Sequence, residues 1–213
     1  LYVTNNGALS IFAGLTNGVD PYGALVDVAG DMTVASKGWV YPYCHTNTGA
    51  AVKFDMENLW IRRAVSGVTM QGFNARGKGF GHTRGPGAAP PASEYGSGGG
   101  YGGKGGDGLS LGKLMLGGAS YGFKHAPQLP GSGGSGGAFV RGGYGGGQIW
   151  IEAADTVRCD GELNAGGAEG SIWHAGGGSG GAVFVRCRKI TGDRYAGLIA
   201  NGAKSGNLTY AGG

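Results

Sequence analysis

The chain has 213 residues, 52 of them glycine, and carries a formal charge of +4 with only 14% charged residues. Glycine at that density excludes helix as the main element, because each interior glycine costs about 1 kcal/mol relative to alanine, and charge this sparse excludes disorder driven by self-repulsion. The 17 basic residues gather no further than Arg62-Arg63 and Arg186, Arg188, Lys189, so no nucleic-acid face is indicated, and no apolar run approaches the ~18 residues of a membrane span.

Taken in chain order, residues 1–23 fit no repeat. They read as an interface strand or the tail of a preceding unit, and the missing initiator Met marks a processed product or an excerpt. Residues 24–76 form a first β-repeat part. Alternating strands are expected at Ala24–Val28 and Ala51–Met56, with a weaker copy at Met32–Val40. The stretch Val68–Gly77 matches Val157–Gly166 position for position without a gap. A second β-repeat part, 148–213, holds the clearest repetition. Gly147–Ala153 matches Gly181–Cys187 at an offset of 34, and Leu163–Gly167 matches Leu198–Gly202 at about 35. Val157 and Ile190 lie between these blocks.

The unit is therefore strand, turn, strand, turn, strand, then a glycine-rich excursion. Repeats at a short offset bury their apolar faces by stacking like on like. The expected fold is all-β, a parallel β-solenoid in one continuous elongated domain. Its inward residues would be Ile149, Ile151, Val157, Leu163, Val183, Val185, Ile190 and Leu198. An antiparallel sandwich would need frequent hairpins, and the one clear hairpin signal is Asn17-Gly18.

Between the two parts, residues 77–147 are glycine-rich with a period of three: Gly96, Gly99, Gly102, Gly105 and Gly108, then 131-134-137, 142-145 and 177-180. Three is the period of the polyproline-II helix, and such helices pack backbone to backbone where the facing residue has no Cβ. A flexible linker would have the same composition. Tyr95, Tyr101, Leu109, Leu111, Leu114, Met115, Leu116, Tyr121 and Phe123 within the run speak for packed layers.

Residues 145–153, 161–167 and 176–185, together with Tyr121 and Ala126–Gly134, resemble the glycine-rich, β-helix-like repeat regions of large bacterial cell-surface and secreted proteins. The likeness covers roughly residues 24–205. It implies an extracellular or envelope setting, and it carries no catalytic motif onto this chain.

Candidate chemistry is thin. Gly102–Ser110 fits the calcium nonapeptide pattern, with Asp107 as the candidate ligand, but tandem copies are needed to fill a calcium shell. Asp155, Asp160 and Glu162 are the nearest approach to a hydrolytic carboxylate set, and Asp is equally at home in turns. His45, His82, His125 and His174 show no metal or catalytic spacing. Cys44, Cys159 and Cys187 include no close pair, so zinc is not indicated by spacing, and one disulfide with a free thiol and three scattered buried thiols are equally open. The sequon Asn207-Leu208-Thr209 would accept a glycan in a secreted eukaryotic chain. Trp39, Tyr41, Tyr43, Trp60, Trp150 and Trp173 could stack on sugars or fill core and interfaces. The resulting expectation is a non-enzymatic structural protein without cofactor, polymerising head to tail through its ends. The alternatives are a carbohydrate-binding or polysaccharide-cleaving module, or a segment of a larger adhesin.

Overall fold

The structure is a computed structural model, described for residues 1–63, 71–92, 95–110, 112–137, 140–171, 174–194 and 196–205. It is all-β, and no helix occurs among the described residues. The strands are β1 (Tyr2–Val3), β2 (Ala8–Phe12), β3 (Ala24–Val34), β4 (Trp39–Tyr43), β5 (Val52–Ile61), β6 (Gly72–Asn74), β7 (Gly108–Ser110), β8 (Lys113–Met115), β9 (Gln148–Ala153), β10 (Thr156–Cys159), β11 (Glu162–Asn164), β12 (Ala182–Arg186), β13 (Lys189–Gly192) and β14 (Gly197–Ile199).

Two parallel sheets hold all but β7 and β8. The first runs β1-β3-β5, then divides, with β9 and β10 end to end along β5, β12 on β9 and β13 on β10. The second runs β2-β4-β6-β11-β14. From β3 onward the chain passes from the first sheet to the second and back. Each return places a new strand beside its predecessor, which is why every pairing within these sheets is parallel. Residues 1–23 are part of this scheme, since β1 pairs with β3 and β2 with β4.

Parallel pairing in register builds rows of like residues across the strands. On the inner face, Met32, Leu59, Val157 and Ile190 stand in one row. Leu9, Val40, Phe73, Leu163 and Leu198 stand in another. Phe54 of the first sheet meets Phe73 of the second edge to face, with centroids 5.1 Å apart. The repeat offsets near 34 and 35 are physical pairings: Ile149 faces Val183, Trp150 faces Phe184, Ile151 faces Val185, and Leu163 faces Leu198.

Two expectations about the core need correction. Ile149, Ile151, Val157 and Leu163 are fully buried, but Val183 and Val185 are only half-buried. Ile190 is 57% and Leu198 63% exposed, because each lies in the last strand of its row. The gapless match of 68–77 with 157–166 is off by one residue. Gly72 pairs with Glu162, Phe73 with Leu163 and Asn74 with Asn164. In this register Asn74 and Asn164 make the same turn, each side-chain oxygen accepting the amide two residues on, Arg76 at 3.0 Å and Gly166 at 2.9 Å. A slip of one residue would set Phe73 against Glu162 and turn one of them to the wrong face. The Val68–Met70 part of that match lies outside the described residues.

The hairpin also lies elsewhere than expected. Asn17-Gly18 forms a local turn, Asn17 Oδ1 accepting the amides of Val19 and Asp20 at 2.9 and 2.8 Å. The strands on either side of it belong to different sheets. The antiparallel pair is β7–β8, closed at Gly112 with φ +73°.

The glycine-rich segments are bonded to one another. Gly131 and Gly134 donate to the carbonyls of Gly146 and Gly143. Ser179 and Gly176 donate to Ser132 and Ser135, and Gly143 and Gly146 donate to Gly176 and Ser179. The segments 131–135, 142–146 and 176–179 thus join pairwise at every third residue, with all six bonds between 2.8 and 3.0 Å. Glycine is required at these contacts: a Cβ on Gly134 would lie 2.5 Å from the carbonyl oxygens of both Gly176 and Gly177. The period of three in the sequence is therefore the period of inter-segment hydrogen bonds.

Candidate functional site

The densest constellation of charge lies on the outer face of the first sheet. Lys53, Asp55, Trp150 and Glu152 project outward there, because Lys53 pairs with Trp150 and Asp55 with Glu152 while the intervening Phe54 and Ile151 point into the core. Lys53 Nζ bridges Asp55 at 3.1 Å and Glu152 at 3.2 Å. The Trp150 indole donates to Glu152 Oε1 at 3.0 Å. Asp55 and Glu152 border a cleft of ≈ 440 Å³ together with Arg186 and Arg188.

Two carboxylates in a cleft invite comparison with a glycoside hydrolase, in which one of the pair must hold a proton. Here Lys53 stands between the two. Burial works to lower the ammonium's pKa, yet its bonds to Asp55 and Glu152 outweigh burial and hold it above the usual lysine value. The cluster ties β5 to β9.

The carboxylates singled out in the sequence are not brought together. Asp155 pairs with Arg188, Asp160 with Arg158 at 2.6 Å, and Glu162 accepts from Asn164 at 2.8 Å. Asp155 and Asp160 lie in the bends flanking β10. Asp107 is bound by Lys104 at 2.6 Å and by the Gly117 amide at 2.7 Å. These bonds, the lysine first, hold its carboxyl below the usual range. It joins two glycine segments, and among the described residues no group of three His, Cys, Asp or Glu is placed to hold a metal.

The remaining candidates occupy separate places. Cys44, Cys159 and Cys187 are free thiols. Burial pushes Cys44 up to about 12 against the hydrogen bond from the Gln148 amide. His45 contacts Thr48, and His82 Nδ1 accepts from the Gly142 amide at 2.9 Å. His174 stands edge-on to Tyr95 with centroids 4.1 Å apart. Of the aromatic residues, Trp150 is 4% exposed. Trp60 donates to Asp31. Trp39, Tyr41 and Tyr43 project outward along β4, and Tyr43 stacks on Phe12 at 4.4 Å. Trp173 and the sequon at 207–209 lie outside the described residues.

Sequence reasoning missed a set of buried serines inside the glycine layers: Ser97, Ser132, Ser135 and Ser179. Ser179 Oγ accepts from the Ser132 amide, Ser135 Oγ accepts from the Ser97 amide, and Ser132 Oγ donates to the Tyr121 hydroxyl. The signal was present in Ser-Gly-Gly-Ser-Gly-Gly at 132–137, where serine itself has the period of three.

The other notable surfaces are the two open edges of the stack. At one, Leu9, Ile11, Val26 and Val28 are half-buried and Phe12 is 69% exposed. At the other, Val183 and Val185 are half-buried and Ile190 and Leu198 exposed. No protein-family model, no curated protein and no solved structure matches the chain, so its functional reading rests on the arrangement of its own residues.

Proposed function

We propose that this chain is a structural module of an extracellular or cell-surface assembly. It is read as a parallel β-solenoid with polyproline-II-type glycine layers, and copies of it join end to end into a fibre or layer. The observation that carries this reading is the pair of rows that end in Ile190 and Leu198. Within each row the interior members, Leu59 and Val157 in one and Phe73 and Leu163 in the other, are fully buried, while the last members are 57% and 63% exposed. A further strand in the same register would bury them. The opposite edge presents apolar residues of the same kind on strands with no outer partner among the described residues, and open strand edges pair with other chains unless they are covered. Because the two edges are different surfaces, the contact is heterologous and continues without closing.

The surroundings fit a scaffold. Asp55, Glu152, Asp155 and Asp160 each pair with a cation, and the thiols of Cys44 and Cys159 are buried. Sedimentation velocity across a range of concentrations tests the reading. Concentration-dependent association is expected, and it is lost in the double variant Ile190→Asp, Leu198→Asp. Monomers of the unmodified chain at every concentration would overturn it.

A further inference from the structure

Two clefts adjoin at Tyr101 and Gly102 on the glycine-rich side. One, of ≈ 390 Å³, is lined by Tyr121, Phe123 and Lys124. The other, of ≈ 360 Å³, is lined by Gly103, Lys104, Ser179 and Gly180. Each falls within the size of small-ligand sites. Both are lined by Tyr101 and Gly102, and the two are taken as one groove.

Three observations give this groove a chemistry. The first is its aromatic wall. Tyr101 and Tyr121 meet edge to face with centroids 4.9 Å apart, and Tyr121 is fixed by donating to the Pro130 carbonyl and accepting from Ser132. Phe123 stands at the mouth, 77% exposed, and takes no part in the core. The second is the floor. At most other glycines of the layers a Cβ would press on a neighbouring backbone, but a Cβ on Gly102 or Gly103 would meet nothing within 4 Å, and neither has φ in the left-handed region. Packing does not explain glycine at these two positions; a floor kept bare for an occupant does. The third is charge. Lys104 is neutralised by Asp107 at 2.6 Å, which leaves Lys124 of the first cleft as a single cation rather than a basic field.

We infer that the groove binds a segment of a neutral polysaccharide, with a sugar ring laid against the Tyr101–Phe123 wall and the next ring over Gly102 and Gly103. Aromatic rings beside exposed backbone amides and carbonyls match a sugar, which has an apolar C–H face and a rim of hydroxyls. An extended peptide would need an unpaired strand ladder, and a lipid would need a deeper apolar cavity. The second cleft also reaches Ala200 and Gly202, just past β14.

The test is affinity electrophoresis of the full chain in native gels containing soluble neutral polysaccharides, namely mixed-linkage β-glucan, xyloglucan, galactomannan and dextran, with polygalacturonate as the anionic control. Retardation by at least one neutral polymer is expected. Phe123→Ala should weaken it about tenfold, the usual scale for truncating an aromatic anchor. Gly103→Val should do the same by filling the floor. Both positions are free of packing contacts, so thermal midpoints should match the unmodified chain. Retardation by polygalacturonate alone, by no polymer, or of both variants as strongly as of the unmodified chain would overturn the inference.

Discussion

At the scale of single residues, the glycines divide into those that packing demands and those that it does not. Gly134 stands where a Cβ would press on two backbone carbonyls, while Gly102 faces open space. Gly134→Ala should therefore lower stability by about 1–3 kcal/mol, the usual range for overpacking. Gly102→Ala should stay within about 0.5 kcal/mol, as surface substitutions do. Urea unfolding midpoints of the two variants decide the matter. The period of three was legible in the sequence, but which glycines face a neighbour was not, because that depends on segments brought together from 131–135, 142–146 and 176–179.

Cys44 provides a second test at this scale. Burial holds its thiol neutral and raises its pKa from 9.0 to about 12. A group whose pKa is raised on folding contributes stability that is fully present below the unfolded value and is lost as pH rises through the folded value. Under reducing conditions, thermal midpoints should fall more steeply between pH 9.0 and about 12 in the unmodified chain than in Cys44→Ala. Parallel curves would show that the thiol does not contribute.

At the scale of elements, position within a row governs the cost of a substitution more than residue type. Leu163 and Leu198 are the same residue in the same row, paired directly through β11 and β14. Leu163→Ala removes a side chain with no exposure and should cost about 2–5 kcal/mol. Leu198→Ala, at 63% exposure, should cost under about 1 kcal/mol in dilute solution. Equal losses in chemical denaturation would mean that the edge strand is covered.

Most elements of this row scheme could be read from the sequence, because parallel pairing at a fixed offset leaves like residues at like spacing. The exception is instructive. Aligning Gly72 with Gly161 by identity hides the turn chemistry of Asn74 and Asn164, which sets the register one residue away. The division of the first sheet at β5 was not legible either. It follows from the bend between β9 and β10, where the Ala154 and Asp155 amides bond to Met56 and Glu57 and keep both short strands on one long neighbour. The groove at Tyr101 lay beyond the sequence for a related reason: its two halves come from residues about 80 apart, Tyr101 and Gly180.

At the scale of the whole molecule, the proposed assembly rests on the open edges. Each interior strand buries its apolar row between two neighbours, and each outer strand has one neighbour. Burying a leucine or isoleucine side chain is worth about 1.5–3 kcal/mol, and each edge presents several such residues. The drive to add another strand is therefore built into the same repetition that forms the sheets. Electron microscopy of the purified chain over a series of concentrations tests this most directly. End-to-end stacking predicts filaments whose axial repeat is about 24 Å, since the second sheet contributes five strands per copy at a spacing of about 4.8 Å. Discrete particles at every concentration, or filaments without that repeat, would contradict it.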